Sequence, residues 1–265
     1  FPYTTLFRSV GTHWRWIVFG RNPTLPLENQ GDGTRLDVFE MFSTIQGEGP
    51  LAGRPATFVR LHGCHLKCHF CDTDFTSRRE DMAVADIVRQ CDKFRHDLVV
   101  LTGGEPMRQN LVPLIVSLLQ EVHTVQIETA GSFWFPSTIT DEDKLWVHRA
   151  LEHRALTLVV SPKTPAVHPS VAKSAHAWKY IITDNDVLDP DDGLPVCNYQ
   201  DPSSDAPQRL LARPPVELNP RDIYVQPCDY GIATRNKAAQ DRCVQVVMRH
   251  GYTLSLQQHK LVGLP

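Results

Sequence analysis

The stretch ATFVRLHGCHLKCHFCDTDF, at residues 56–75, carries the strongest pattern in the chain. Its first seven residues, 56–62, are rich in β-branched and aromatic side chains and predict a strand. Three cysteines, Cys64, Cys68 and Cys71, follow within eight residues. Spacings of four and three residues allow three thiolates on one loop to converge on one metal centre.

Two kinds of metal centre are compatible with this loop. A tetrahedral zinc site takes four ligands, usually as paired CxxC elements, and no second pair exists here. His62, His65 or His69 could supply a fourth ligand, so structural zinc stays open. A [4Fe–4S] cluster normally takes four cysteines. With three nearby cysteines one iron would remain open to a substrate or cofactor, which indicates catalysis.

Strand and helix patterns alternate on both sides of this loop. The predicted strands lie at residues 36–42, 56–62, 98–101, 125–128, 156–160, 178–183, 223–226 and 253–256. Apolar spacing of 3.6 residues predicts helices at residues 82–94, 111–122, 141–151 and 236–249. Gly, Pro and Asp content predicts loops at residues 44–55 and 185–221. Such βα units imply parallel strands with right-handed crossovers. Fewer than eight units predict an α/β fold with an incomplete or open barrel, shorter than a full (β/α)8 barrel.

The polar motifs of the chain follow predicted strands. They are TGGEP at residues 102–106, ETAG at 128–131, SPK at 161–163 and YVQP at 224–227. In parallel α/β folds the chemistry gathers at the carboxyl ends of the strands. We therefore expect these motifs to meet at one edge of the barrel.

Composition excludes several classes of protein. The 265 residues are 42% hydrophobic and 22% charged, with a net charge of −3, so the chain is neither disordered nor basic enough for an electrostatic nucleic-acid binder. No apolar run is long enough to span a membrane.

Seven cysteines, an odd number with three of them clustered, do not resemble a disulfide framework. They favour a reducing compartment, the cytoplasm. Cys91 and Cys243 lie on apolar helix faces and are predicted core residues. Cys228 is interpreted as a bystander near a strand end, and Cys197 receives no role.

The first 34 residues are predicted to lie outside the domain. Residues 1–20 lack the order of regions that defines a signal peptide. We interpret residues 1–34 as a non-native or disordered extension, and residues 35–265 as one domain.

The CxxxCxxC loop, with Phe70 before the last cysteine, resembles that of the radical S-adenosylmethionine (SAM) superfamily. The TGGEP motif resembles its GGE motif, which meets the methionine amino group. Within the superfamily the chain is similar to 7-carboxy-7-deazaguanine synthases from about residue 36 to 265. Besides the strand-end motifs, the similar segments are FSTIQGEG at residues 42–49, FVRL at 58–61, CDTDF at 71–75 and HKLVGLP at 259–265.

This resemblance implies a radical SAM-type barrel and a definite reaction. The cluster would reductively cleave SAM to a 5′-deoxyadenosyl radical, which takes hydrogen from C6 of 6-carboxy-5,6,7,8-tetrahydropterin. Ring contraction and loss of ammonia would give 7-carboxy-7-deazaguanine, on the route to queuosine-type nucleosides, with SAM regenerated. It also implies Mg²⁺, a homodimer, and an electron donor such as flavodoxin or ferredoxin. No nucleic acid or membrane partner is expected.

The resemblance also assigns roles to residues. The cluster ligands would be Cys64, Cys68 and Cys71. The SAM-binding residues would be Gly103, Gly104, Glu105, Thr129, Ser161, Lys163 and Gln226. The pterin-binding residues would be Gln46, Glu48, Arg60, His259 and the terminal carboxylate of Pro265. Thr73 would bind Mg²⁺ directly, in preference to its neighbour Asp72.

Chemistry agrees with the substrate assignments. A carboxylate matches the N–H and amino groups on one edge of a guanine-like ring, and the planar fork of an arginine matches a substrate carboxylate. Two other functions remain open at this point: an activase that installs a glycyl radical on a partner protein, and a zinc-stabilised binding module without catalysis.

Overall fold

The computed structural model describes residues 22–26, 30–68, 70–197 and 210–265. These residues form nine strands and six α-helices. The strands are β1 Arg35–Ile45, β2 Pro55–Leu61, β3 Glu80–Ala83, β4 Leu98–Gly103, β5 Thr124–Thr129, β6 Leu156–Val160, β7 Ala177–Ile182, β8 Ile223–Pro227 and β9 Thr253–Leu254. The helices are α1 Val84–Phe94, α2 Val112–Gln120, α3 Asp141–Glu152, α4 Pro169–Ser174, α5 Ala233–His250 and α6 Gln258–Leu261.

One sheet contains all nine strands, in the order β3-β1-β2-β4-β5-β6-β7-β8-β9. From β2 to β9 neighbouring strands pair in parallel, as the βα alternation predicts. Among the described strands β3 and β9 stand at opposite edges and do not pair, so the barrel is open. This confirms the predicted α/β fold with an incomplete barrel.

The core lies between the sheet and the helices on its outer face. Ile87 and Cys91 on α1, and Leu114 and Leu118 on α2, are fully buried against the parallel strands. Cys243 on α5 is also 0% exposed, so both cysteines predicted on apolar helix faces are core residues. No helix of the described residues is long and apolar enough to cross a membrane.

The first two strands differ from a purely parallel arrangement. β1 runs antiparallel to both β2 and β3, and it continues to Ile45, into the segment predicted as a loop. β3 was not predicted, because its sequence EDMA has two exposed acidic residues and no apolar alternation. It occupies the start of the predicted helix at residues 82–94, and α1 begins at Val84.

The carboxyl-terminal third also differs in detail. The predicted last strand, residues 253–256, is only Thr253–Leu254, and the short helix α6 follows it. α5 begins at Ala233, three residues before the predicted start. Of the segment predicted as a loop, 185–221, residues 198–209 lie outside the described residues. In its described part isolated bridges join Leu188 with Pro195 and Cys197 with Leu210.

Part of the predicted amino-terminal extension, residues 1–21 and 27–29, lies outside the described residues. The described part packs on the domain: the Leu25 amide donates to the Cys64 carbonyl (2.7 Å), and the Asn110 amide donates to the Gln30 carbonyl (2.8 Å). The domain boundary at residue 35 stays a prediction.

Candidate active site

A cavity of about 600 Å³ opens at the carboxyl ends of the parallel strands. The cysteine loop lies at one end of it. At the other end are carboxylates from the loop after β1 and from β5. Residues of α6 and the last residues of the chain also reach it.

We call Cys64, Cys68 and Cys71 the cluster end of the cavity. All three are free thiols and line it. Burial raises the pKa of Cys64 to about 12 and that of Cys68 to about 11. The thiols are therefore neutral at physiological pH unless a metal displaces their protons, since the thiolate is the form that binds metal.

The donor set on this loop fits an iron–sulfur group, because three thiols from one loop line the same cavity. In an iron–sulfur cubane each cysteine binds its own iron. The thiols also sit in a small apolar cluster with Leu66 and Phe75, a surrounding of the kind that controls solvent access to such a group. The three cysteines fit a [4Fe–4S] cluster with one open iron.

The turn after β4 passes directly under the cysteine loop. A Cβ on Gly104 would lie 2.3 Å from the Gly63 carbonyl oxygen and 2.7 Å from Cys64 Cβ. Only glycine allows this approach. The next residue, Glu105, is 1% exposed and accepts hydrogen bonds from the Thr129 hydroxyl (2.6 Å) and the Ala130 amide (2.8 Å). Burial raises the pKa of Glu105.

Lys163 brings a cation to the cluster end. Its Nζ donates to the Ser161 hydroxyl (2.6 Å) and carbonyl (2.8 Å), and lies 5.8 Å from the centre of the Phe70 ring. Burial lowers the pKa of Lys163, while the neighbouring Cys68 opposes that shift. Nearby, Gln226 is 3% exposed, and its Oε1 accepts from the Ser255 hydroxyl (3.0 Å).

We call Glu48, Glu128 and Lys179 the carboxylate end. Lys179 Nζ donates to Glu48 Oε2 and lies 3.6 Å from Glu128 Oε2. Although burial works against ionisation, the charge of Lys179 and hydrogen bonds from Lys179 and Gln257 lower the pKa of Glu48 to about 2. Glu48 is therefore ionised at neutral pH and is aimed into the cavity.

Amide side chains complete this end. Gln46 is 1% exposed; its Nε2 donates to Glu128 Oε1 (2.9 Å) and its Oε1 accepts from the Glu48 amide (3.0 Å). His259 Nδ1 is buried without a hydrogen-bond partner. A Cβ on Gly47 would lie 1.9 Å from that atom, so any side chain at residue 47 would displace the His259 ring.

Arg60 lies on β2, before the cysteine loop. Its Nε donates to Glu40 Oε1 (2.9 Å), and its guanidinium lies 5.5 Å from the centre of the Phe42 ring. The side chain is 19% exposed and lines the cavity. The ion pair with Glu40 and the ring below it fix the direction of the guanidinium.

A clamp joins α6 to the cysteine loop. Lys260 Nζ donates to Asp72 Oδ2 (2.8 Å) and to Asp229 Oδ2 (3.0 Å). The Thr73 hydroxyl donates to Asp72 Oδ1 (3.2 Å), so both oxygens of Asp72 are engaged. In addition, the Thr44 hydroxyl donates to a main-chain oxygen of Pro265 (2.9 Å).

The structure brings nearly all of the predicted site residues to this one cavity. Glu105 is the exception, because it lies behind Thr129 rather than on the lining. Cys228, interpreted as a bystander, is 5% exposed and also lines the cavity.

Sequence reasoning gave no role to several residues that complete the site. They are Glu40, Glu128, Lys179, Gln257 and Lys260. Lys179 had a usable signal, a lone charge within the otherwise apolar β7 sequence AWKYII. The others stand among polar neighbours and carry no such signal.

The open α/β barrel and the cysteine loop define a radical SAM protein. The family model of the Radical SAM superfamily matches residues 58–144. A 7-carboxy-7-deazaguanine synthase from Rhodospirillum rubrum is 38% identical over 93% of this chain and 100% of its own length. One from Rickettsia prowazekii is 32% identical over 93% of this chain and 96% of its own. The chain belongs to the 7-carboxy-7-deazaguanine synthase family.

A solved structure has the same fold. The crystal structure of QueE from Escherichia coli matches with a TM-score of 0.55 and 23% identity. The match covers 84% of this chain and 93% of that one.

Proposed function

We propose that this chain is a radical SAM lyase that converts 6-carboxy-5,6,7,8-tetrahydropterin to 7-carboxy-7-deazaguanine with loss of ammonia, in 7-deazapurine biosynthesis. The observation that carries the proposal is the single cavity with three thiols at one end and an ionised, anchored carboxylate at the other. Loss of one ammonia accounts for the whole difference in composition between pterin and product, so the reaction needs no net oxidant.

The cluster end would hold the [4Fe–4S] cluster and SAM. When bound, the reduced cluster supplies the electron that cleaves SAM. Gly104 allows the close approach to the cysteine loop, and Gly103 allows that to Leu61 on β2. Polar groups at neighbouring strand ends are offered by Ser161, Lys163, Thr129 and Gln226. Glu105 would act on SAM from behind Thr129, through the hydroxyl that it fixes.

The carboxylate end would bind the pterin. Glu48 would accept hydrogen bonds from the N–H and amino groups of the ring, with Gln46 beside it. Arg60, fixed by Glu40, would bind the substrate carboxylate through its remaining N–H groups. His259 and the Pro265 carboxyl group would close the site from α6 and the end of the chain.

We also propose Mg²⁺ at Thr73. Mg²⁺ takes few protein ligands and keeps several waters. Asp72 is already engaged by Lys260 and Thr73, which favours the Thr73 oxygen over Asp72 as the ligand. The carboxylate of the substrate would complete the coordination.

We further propose that the chain forms a homodimer and receives electrons from a flavodoxin- or ferredoxin-type donor. We also propose that it acts in the cytoplasm. Val244 and Met248, 46% and 81% exposed, lie one turn apart on α5 and give an apolar surface of the kind that a second copy covers. Lys67 is exposed in the cysteine loop, where a donor would approach the cluster.

Anaerobic turnover tests the proposal. The reconstituted protein, with SAM, Mg²⁺ and reductant, is expected to convert 6-carboxytetrahydropterin to the deazapurine and ammonia in equal amounts. Iron and sulfide analysis should give four of each per chain. Cleavage of SAM without product formation would reject the assigned reaction, and bound zinc in place of iron and sulfide would reject the radical chemistry altogether.

A further inference from the structure

Lys179 is a buried cation on β7. Along this strand Trp178 and Tyr180 face the main hydrophobic core, whereas Lys179 and Ile181 line the cavity. The Lys179 side chain is 7% exposed. An ammonium group so deeply buried needs opposite charges close by, because the transfer of an unpaired charge from water is very costly.

Two carboxylates from different parts of the fold supply those charges. Glu48 comes from the loop after β1, and Glu128 from β5. Both contact the same Nζ atom, so the two carboxylates are themselves close together. Without the cation between them, like charges at this distance would force one carboxyl group to take up a proton.

The orientation of Glu48 depends on two donors. Oε2 accepts from Lys179, and Oε1 accepts from Gln257 Nε2 (2.9 Å). Each carboxylate oxygen can accept two hydrogen bonds, so each keeps a lone pair for a ligand. The two donors fix the plane of the carboxylate, and Glu48 lines the cavity.

Stability alone does not account for this arrangement. Replacement of a buried ion triad by apolar residues of similar volume is often neutral or stabilising. We infer that Lys179 is a positioning residue for substrate recognition, which holds Glu48 ionised and correctly oriented to receive the N–H and amino groups of the pterin. This inference rests on the proposed function and adds to it a residue that does not itself need to touch the ring.

Loss of the cation should make binding depend on pH. The charged or titratable groups that face Glu48 are Lys179 on β7, Glu128 on β5 and His259 on α6. Burial lowers the pKa of His259, and the charge of Glu48 opposes that shift. In Lys179→Met, Glu48 should share a proton with Glu128 near neutral pH, and a protonated carboxyl accepts fewer hydrogen bonds.

The test measures binding of 6-carboxytetrahydropterin to the reconstituted protein with SAM but without reductant, so that no turnover occurs. Anaerobic calorimetry from about pH 6.5 to 9 would compare wild type, Lys179→Met, Lys179→Arg and the control Lys237→Met, which removes an exposed lysine. We expect Lys179→Met to raise the Kd on the order of tenfold to a hundredfold at pH 7, as for a lost charge-assisted hydrogen bond. The ratio of its Kd to that of wild type should fall as pH rises. Lys179→Arg should recover part of the affinity.

The double variant Lys179→Met/Glu128→Gln separates this role from a structural one. It removes one cation and one anion, so Glu48 loses the nearby like charge and ionises more readily than in Lys179→Met alone, although less readily than beside Lys179. It should fold and bind more tightly than Lys179→Met alone. A ratio that is constant with pH, or a Kd of Lys179→Met equal to that of wild type, would overturn the inference and leave the proposed function intact. Absence of pterin binding in wild type would instead overturn both.

Discussion

The two ends of the cavity manage charge in opposite ways. At the carboxylate end the chain supplies its own counter-charge, since Lys179 lies between Glu48 and Glu128. At the cluster end the thiols of Cys64, which is buried, and of Cys68 and Cys71, which are half-buried, have their pKa values raised, by removal from water above all. Their donor atoms become effective only when an iron–sulfur group replaces the protons.

This difference separates what folding can prepare from what a cofactor must complete. The carboxylate end is preorganised by the chain itself, with every oxygen of Glu48 oriented by a donor. The cluster end is shaped by close packing at Gly104 and Cys64, but its chemistry depends on metal. Variants at one end should therefore leave the properties of the other largely unchanged.

The largest expected effect is at the cluster end. Cys68→Ala should abolish both retention of the cluster and cleavage of SAM, because a three-cysteine site has no spare ligand. Iron content and 5′-deoxyadenosine formation measure the loss. Binding of the pterin should persist within a few-fold, because the carboxylate end does not depend on the thiols.

Cys91→Ala is the matched control. Cys91 lies on α1 and is 0% exposed. Its replacement by alanine should lower the unfolding free energy by about 1–3 kcal/mol without loss of the cluster. An intact, catalytic cluster in Cys68→Ala would remove Cys68 from the ligand set. Loss of the cluster in Cys91→Ala would show that the two cysteines are not functionally distinct.

A smaller effect is expected at the end of the chain. A main-chain oxygen of Pro265 accepts a hydrogen bond from Thr44, and Pro265 lines the cavity. In the proposed site this residue presents a carboxylate, and residues appended after it would convert that carboxylate to an amide and remove its charge. We expect KM for the pterin to rise roughly tenfold or more, as for a lost hydrogen bond to a charged group. The same tag at the amino terminus is the control, and equal KM values for both proteins would exclude a role for this carboxylate.

A change at Thr73 tests whether the proposed Mg²⁺ site acts independently of the cluster end. Thr73→Ala should raise the Mg²⁺ concentration needed for full activity on the order of tenfold, about 1.4 kcal/mol for one lost ligand. Cleavage of SAM in the absence of pterin should be unchanged, since the two metal sites are chemically separate. Thr73→Ser, which keeps the hydroxyl, should respond to Mg²⁺ as wild type does. If Thr73→Ala also responds normally, another group binds the ion.

The two ends also differ in how far the sequence predicts them. The cluster end is local, because three ligands fall within eight residues and the glycine motif follows the next parallel strand. The carboxylate end joins residues 48, 128 and 179, which lie on separate elements. No spacing rule connects them, and Glu128 and Lys179 come together only because β6 pairs with both β5 and β7.

Dependence on long-range contacts also explains where the predicted fold was wrong. The parallel strands were predictable, because buried apolar runs such as residues 98–101 and 156–160 stand out from their surroundings. β3 has no apolar pattern and forms because β1 offers an edge for pairing. The four-residue α6 is too short to be stable alone. It is held by Lys260 and by the approach of His259 to Gly47, both long-range contacts.

The most indirect expected effect is a change in acid stability, which reports the charge balance at the carboxylate end without any substrate. The pKa of Glu48 is about 2 in the folded protein, below its ordinary value of 4.5. A carboxyl group with a lowered pKa stabilises the fold above its ordinary pKa, and this stabilisation is lost as pH falls from about 4.5 toward 2. Glu48→Gln has no such proton to take up, so its unfolding free energy should fall less steeply over this range. The expected difference in slope amounts to about 1–3 kcal/mol over the interval, measured by urea unfolding at several pH values. Asp241→Asn, which removes an exposed carboxylate of an ion pair with Lys237, is the control. Parallel acid titrations of wild type and Glu48→Gln would show that Lys179 does not hold Glu48 ionised, and the contrast between the two ends of the cavity would then fail.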